Sequence, residues 1–253
     1  MEEDLCLKNF LDEKAIYFNQ EWFIEKDPVS IPHRFEIKED IEISGFLTSI
    51  LSWGQRPMIL KKASILMELL ENKPFEFITL ASKEEFARFK TFIYRTFNGT
   101  DCSYFVSALR EIYLFHGGLE NVFINGYQNN SIKDALINFR KVFLSFKPPE
   151  RTCKHFANVE KNASAKRLNM FLRWMVRDDK IVDFGLWKGI SASDLMIPLD
   201  LHAGRTARKL GLLKRNQNDW KAVEELTLKL KSFRPDDPVF YDYALFGVGV
   251  YGK

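Results

Sequence analysis

Lys161-Asn162-Ala163-Ser164-Ala165-Lys166-Arg167-Leu168-Asn169-Met170-Phe171-Leu172-Arg173-Trp174-Met175 opens with small polar residues and then becomes periodic. Leu168, Phe171, Leu172 and Met175 recur at intervals of three and four, the spacing of one face of an α-helix. The same spacing returns on both sides. Upstream it is carried by Ile43, Phe46, Leu47, Ile50 and Leu51, by Ile65, Leu66, Leu69 and Leu70, by Phe105, Ala108, Leu109 and Ile112, and by Ile132, Ala135, Leu136, Phe139, Val142 and Phe143. Downstream it is carried by Trp220, Val223, Leu226 and Leu230. Long alternating runs are absent, and β-rich patches such as Phe35-Glu36-Ile37 are short. Gly54 with Pro57, Asn98-Gly99, Gly117-Gly118, Asn129-Asn130, Pro148-Pro149 and Pro235 punctuate the helical runs. The expected fold class is therefore all-α, with two helical lobes and a cleft between them.

The chain has 253 residues, 46% of them apolar, which is enough for a sizeable core and excludes a disordered chain. The 23 phenylalanines read as core filling. No run of eighteen apolar residues occurs, and the start Met1-Glu2-Glu3-Asp4 lacks the basic-then-apolar order of a secretory signal, so neither membrane nor export is expected. Cys6, Cys102 and Cys153 are far apart and odd in number, which rules out a disulfide framework, a four-thiolate zinc site and an all-cysteine iron–sulfur cluster. The expectation is a cytoplasmic protein without cofactor or metal. The net charge of +3 hides an asymmetry. Residues 1–50 hold five Lys/Arg against twelve Asp/Glu, net −7, and residues 151–215 hold fourteen against six, net +8. The second stretch is the size of footprint that a polyanion needs, and a solvated helical surface is its other reading.

Four segments could carry chemistry. In Ile50-Leu51-Ser52-Trp53-Gly54-Gln55-Arg56-Pro57, a helix ends at Gly54 and Pro57 suits the first turn of the next one. Gln55 and Arg56 would then project from a tight turn able to probe a groove, or simply be solvated on an αα corner. In the quoted stretch, Asn162 or Ser164 would cap a helix whose first turn holds Lys166. The positive helix end and partial burial both favour the free amine there, which is what a nucleophilic lysine requires, although a surface lysine in a basic run reads the same way. In Ile197-Pro198-Leu199-Asp200-Leu201-His202-Ala203-Gly204-Arg205, Asp200 begins a helix. It would be a structural cap, or a fixed carboxylate able to stabilise a developing cation or take a proton. His202 lacks a second ligand at helical spacing, so it is not read as a metal ligand. Asp242-Tyr243-Ala244-Leu245-Phe246-Gly247 reads as a buried helix ending at glycine.

Together these segments resemble the helix-hairpin-helix DNA glycosylase superfamily. Ile50–Arg56 with Leu60-Lys61-Lys62-Ala63 is similar to the family's helix pair with its Ala-Gln-type turn. Asn98-Gly99 and the helix after it resemble the next family segment. Ser164–Asn169 resembles the hairpin-to-helix segment that bears the lysine nucleophile of bifunctional members. Ile197–His202 with Arg205 resembles the segment of the essential aspartate, and Tyr243–Gly247 the closing helix. The likeness runs from about residue 40 to the end and leaves residues 1–39 unassigned. Lys161-Asn162-Ala163-Ser164 stands where the family has a Gly-x-Gly turn, and the four-cysteine motif of endonuclease III-like members is missing. The Lys166-to-Asp200 gap of 34 residues is closer to the archaeal 8-oxoguanine glycosylase branch. The whole chain also resembles a family of bacterial proteins of similar length to which no activity is attached.

The resemblance implies one lobe over residues 38–180, carrying the hairpin and Lys166, and a second over 1–37 with 181–253, carrying Asp200. It implies a base-excision glycosylase with AP-lyase activity, acting as a monomer on damaged double-stranded DNA and favouring an 8-oxoguanine-like base. Lys166 would be the nucleophile and Asp200 its acidic partner. Gln55, Arg56, Lys161, Arg167, His202, Arg205, Arg208 and Lys209 would contact DNA, and Trp53, Phe97, Trp174, Trp187 or Phe246 would stack on a flipped base. Two other readings use the same residues: a non-catalytic DNA-binding helix-hairpin-helix protein, and a helical protein-interaction domain docking a basic partner through its acidic first fifty residues.

Overall fold

The computed structural model describes residues 2–252. In chain order its helices are α1 (Glu2–Phe18), α2 (Glu21–Glu25), α3 (Lys38–Leu51), α4 (Arg56–Leu69), α5 (Pro74–Leu80), α6 (Gly99–Phe115), α7 (Gly118–Gly126), α8 (Ile132–Leu144), α9 (Lys166–Val176), α10 (Leu201–Lys209), α11 (Trp220–Phe233) and α12 (Asp242–Tyr251), joined by short 3-10 turns. No strand occurs among the described residues, and β pairing is limited to two isolated bridges, Tyr94 with Phe97 and Ala163 with Asp219. The protein is all-α. No helix among the described residues is long and apolar enough to cross a membrane.

The chain forms two compact units, residues 26–157 and residues 1–25 with 158–253. These boundaries differ from the expected 37/38 and 180/181. The cause is visible at the end of α9, where the carbonyls of Trp174 and Met175 accept the amides of Phe184 and Trp187 at 2.8 and 2.9 Å. The segment after α9 therefore folds back onto that helix and does not begin a new unit. Lys166 and Asp200 consequently share a unit.

In the 26–157 unit, α3 is buried on all faces from Asp40 to Leu51. Phe46 packs against Phe105, Phe139, Phe143 and Phe156 with ring centroids 5.5–6.2 Å apart. That cluster bears out the core reading of the phenylalanines, each such ring contributing about 1.5–3 kcal/mol on burial. Asn98 and Asp101 close a capping box at the start of α6, and Gly99 is needed there because a Cβ would lie 2.0 Å from the Lys90 carbonyl oxygen. Gly117-Gly118 is more than punctuation, since Gly118 is the first residue of α7.

In the other unit, α12 packs against α1 and α10. The helix runs past Gly247 to Tyr251 and does not stop at that glycine as the sequence suggested. Gly247 is a contact residue: an added Cβ would meet the Phe18 ring at 2.2 Å. Residues 1–39, unassigned by the sequence, supply α1 and α2, and α1 is the helix that covers α12.

Candidate active site

Lys166 is the first residue of α9, but neither Asn162 nor Ser164 caps that helix. The N-cap is Ala165, in the left-handed region at φ 50°, with no side chain bonded to the first-turn amides. Asn162, also left-handed at φ 66°, is used elsewhere. Its Nδ2 donates to Asp219 Oδ2 at 2.8 Å, and its carbonyl accepts the Trp220 amide at 3.0 Å. The turn that replaces Gly-x-Gly is thus fastened to the start of α11, and the amide end of α9 is left beside Lys166 without a side-chain acceptor. Lys166 is half-buried, and its Nζ lies 3.5 Å from Met170 Sδ, one turn along the helix. A thioether is a weak acceptor, so this contact is a weak one.

Asp200 is the N-cap of α10, as its position suggested. Its Oδ1 accepts the Ala203 amide at 2.9 Å, while its own carbonyl accepts Asn218 Nδ2 at 3.0 Å. Its Oδ2 has no partner among the described residues, and the side chain is half-buried.

The residue that joins these two is Asp242, the first residue of α12, which the sequence had assigned to core. Arg173 lies two turns after Lys166 on the same stripe of α9, and its Nη1 pairs with Asp242 Oδ2. Asp242 is 7% exposed. Burial pushes its carboxyl up, to about 6. The Arg173 guanidinium opposes that rise, the Asp200 carboxylate adds to it and the Lys166 ammonium opposes it. Lys166 and Asp200, far apart in sequence, therefore both act on one carboxylate. Among the described residues no carboxylate oxygen lies within 4 Å of Lys166 Nζ, so the amine is not ion-paired, and an unpaired half-buried amine in the same unit as a capped carboxylate is the residue set that nucleophilic chemistry uses.

A buried ion network holds Asp242 in place. Arg173 Nε also pairs with Asp183 at 3.3 Å. Arg177 pairs with Asp183 at 3.0 Å, with Asp237 at 2.8 Å and with Asp179. The Tyr243 hydroxyl donates to Asp183 at 2.9 Å, and the Arg173 guanidinium sits 4.3 Å from the Tyr243 ring centre. Two guanidiniums thus face four carboxylates, an excess of negative charge consistent with the raised carboxyl of Asp242.

This network also revises the charge reading. Arg173 and Arg177 are buried, so part of the +8 over residues 151–215 never reaches solvent. Arg208 is a loop brace: its Nε donates to the Arg215 carbonyl at 2.8 Å and its Nη2 to Asn218 Oδ1 at 2.7 Å. Arg167 is desolvated enough that burial lowers its pKa to about 10. Lys161, Arg205 and Lys209 are exposed, as is His202, whose Nδ1 lies 3.4 Å from the Gly249 carbonyl oxygen.

Of the stacking candidates, Trp174 and Trp187 are 0% and 1% exposed, and Phe97 is 1% exposed in the 26–157 unit. The packing reading accounts for these three, and their faces are covered. Phe246, half-buried, lies one turn after Asp242 on α12 with its ring 6.2 Å from Phe23. Trp53, Gln55 and Arg56 belong to the 26–157 unit. Gln55 is exposed and is the N-cap of α4, following Gly54 at φ 113°. The turn is braced by Tyr94, whose hydroxyl donates to the Trp53 carbonyl at 2.5 Å, and by Arg95, stacked 4.5 Å from the Trp53 ring centre. Arg56 lies 3.6 Å from Asp27.

Two cavities lie away from this cluster. One, of about 590 Å³ in the 26–157 unit, is lined by Lys38, Glu42, Phe75, Tyr113 and Glu120. Its buried Glu42 accepts the Tyr113 hydroxyl at 2.6 Å. The other, about 620 Å³, is a groove between the start of α1 and Leu210-Gly211. Each holds a lysine beside acidic residues, Lys38 with Glu39, Glu42 and Glu120 in the first and Lys229 with Glu3 and Asp4 in the second, and in both the lysine is already ion-paired, Lys38 with Glu120 and Lys229 with Asp4.

Residues 27–251 match a family model described as a protein of unknown function (DUF2400). The chain belongs to the DUF2400 family. No curated protein and no solved structure matches it. The DUF2400 match spans Lys166, Asp200 and Asp242 and begins after α2, so the whole Lys166 cluster lies inside the family region while α1 and α2 precede it.

The sequence missed Asp242 because an acid opening a strongly apolar helix reads as an ordinary first-turn carboxylate. The available signal was the pairing of two arginines at the end of an apolar run, Arg173 in α9 and Arg177 just past it, with an excess of nearby aspartates. Two buried arginines need buried acids to answer them.

Proposed function

We propose that this DUF2400 protein is a base-excision DNA glycosylase with AP-lyase activity, built on a glycosylase-like two-lobe arrangement. Its substrate is double-stranded DNA carrying an oxidised base, with an 8-oxoguanine-like purine favoured. The observation that carries the reading is that Lys166, half-buried and not ion-paired at a helix start, and Asp200, a helix cap with one carboxylate oxygen unbonded, lie in one unit in the expected order along the chain.

A base inside a duplex is out of reach of any side chain, so the nucleotide is flipped out, and Gln55 on its braced turn contacts the gap it leaves. The glycosidic bond breaks through an oxocarbenium-like state, as in sugar hydrolysis. Asp200, held rigid by its cap bond, stabilises that positive charge. Lys166 bonds to C1′, the sugar ring opens to a Schiff base, and β-elimination nicks the strand. Lys161, Arg205 and Lys209 neutralise phosphates, each contributing a slope of about −0.9 in log affinity against log salt. A half-buried, weakly hydrogen-bonded lysine at an uncapped helix start is what this chemistry asks for, and the all-helical fold is compatible with it.

The test is borohydride trapping on duplexes carrying 8-oxoguanine, thymine glycol or an abasic site. A covalent complex that disappears in Lys166→Gln supports the reading. Salt-sensitive binding with no trapping and no nicking on any of the three would replace it with the non-catalytic DNA-binding alternative.

A further inference from the structure

The 26–157 unit holds the cavity of about 590 Å³, which the Lys166 chemistry does not use. Its size suits a small ligand. The walls come from the start of α3, the start of α5, the second half of α6 and the first turns of α7. The lining carries one ammonium, Lys38, and three carboxylates, Glu39, Glu42 and Glu120, for a net charge of −2. The Glu42 side chain is only 3% exposed, and its Oε2 accepts the Tyr113 hydroxyl at 2.6 Å. The Tyr113 ring meets the Phe75 ring edge-on, with centroids 5.5 Å apart. Phe75 is fixed in turn by its backbone amide, which donates to Asp40 Oδ1 at 2.7 Å. Ile124 adds an aliphatic surface to the same lining. Gly118, at φ 89°, leaves the space beside Tyr113 open, because a Cβ there would lie 3.2 Å from that ring.

The chain itself shows what these acids hold. Lys38 Nζ pairs with Glu120 and lies 3.8 Å from Glu42 Oε1. Desolvation works against its charge, but the hydrogen bond to Glu120 and the pull of Glu42 outweigh it, so its pKa is raised. A primary ammonium on an aliphatic stem is therefore already seated at a carboxylate pair, and the lining stays two negative charges short of neutrality. A calcium-like ion fits this lining poorly, since it takes about six to eight oxygen ligands. Here the Tyr113 hydroxyl and the Lys38 ammonium occupy Glu42 and Glu120, and two aromatic rings and an isoleucine make up the apolar wall. An organic dication suits both parts, its charges the carboxylates and its carbon chain the rings, whose faces also attract cations.

We propose that this cavity is a binding site for a free aliphatic diamine, with one ammonium on the Glu39–Glu42 wall and the alkyl chain against Phe75 and Ile124. Lys38 is the nearest charge that repels the incoming dication. The site stands apart from the glycosylase–lyase reading, and neither depends on the other.

The experiment is calorimetric titration of the full-length protein with 1,5-diaminopentane at neutral pH and low salt. One site should appear with a Kd of about 1 mM or tighter, the level that burying about five methylenes reaches. Singly charged 1-aminopentane should bind about tenfold more weakly, and neutral 1,5-pentanediol and Mg²⁺ should give no saturable heat. Free lysine, whose carboxylate would enter an acidic cavity, should also bind about tenfold more weakly, which separates a diamine from an amino acid as the source of the ammonium. Glu39→Gln, nearly the same shape without the charge, should raise the Kd about tenfold. Lys38→Ala should lower it about threefold or more, because a repelling charge is gone. Lys38→Gln repeats that charge removal with a longer side chain in case the alanine loosens α3. An ion cluster with a purely structural role gives no gain on removing Lys38. No saturable heat with the diamine up to about 10 mM, well above the expected Kd, overturns the proposal. So does Mg²⁺ displacing the diamine, lysine binding more tightly than the diamine, or an affinity that neither Glu39→Gln nor the Lys38 variants change.

Discussion

Asp242→Asn should make the protein more stable at neutral and alkaline pH. Asp242 is 7% exposed and its carboxyl is raised from 3.8 to about 6, chiefly because burial penalises the charged form. The sign follows from linkage. An acid whose folded pKa is raised favours the folded state while it is protonated, and that stability is lost as pH rises from about 4 through about 6. A shift of about two pKa units at 1.36 kcal/mol each amounts to about 3 kcal/mol of strain carried by the folded protein above pH 7. Asparagine has nearly the same shape, accepts from Arg173 through its carbonyl oxygen and carries no charge, so it should relieve most of that strain. Urea unfolding at pH 5, 6, 7 and 8 measures the effect. The variant should be about 1–1.5 kcal/mol more stable than the wild type at pH 5, where about half of the penalty already applies, and about 2–3 kcal/mol more stable at pH 8. A variant less stable at pH 8, or a difference that does not change between pH 5 and 8, would refute the reasoning, because the Arg173 pairing would then outweigh the burial penalty.

Further outcomes follow from the same geometry. Arg173→Met should cost about 3–5 kcal/mol in urea or thermal unfolding, because it strands Asp242 and removes one partner of Asp183 inside the protein; a loss under 1 kcal/mol would mean the network is not held by this residue. Asp200→Asn should keep the α10 cap and its stability while trapping falls, whereas Asp200→Ala should lose about 1 kcal/mol as well. Equal trapping by both variants and the wild type would leave Asp200 a cap and nothing more. Gly247→Ala, with its Cβ 2.2 Å from the Phe18 ring, should cost about 1–3 kcal/mol and hasten proteolysis within α1, since the two helices must separate to admit the methyl. An unchanged melting temperature would contradict that close approach.

Much of the fold was legible in local spacing. The runs around Ile43, Ile65, Phe105, Ile132, Leu168 and Trp220 fall inside observed helices, with Leu70 alone one residue past the end of α4, because a helix that buries one face must repeat apolar residues every three to four positions. Asp200 was legible as a cap because a cap bond closes within three residues. The errors lie where a local rule was overridden from a distance. Asn162 and Ser164 are good caps by composition, yet Asn162 is drawn to Asp219, 57 residues away, and the cap position falls to Ala165. Gly247 looked like a helix end and is the point where α1 approaches α12.

Chain order and residue type were sufficient to single out Lys166 and Asp200, because helix starts and caps are local events that a few neighbouring residues specify. Which arginines would be surface and which interior, where the unit boundary would fall, and that Asp242 would be buried against Arg173 were matters of tertiary packing. The physical reason is desolvation. A charge acquires its chemical character from what surrounds it in space, and the groups surrounding Asp242 come from three separated stretches of chain.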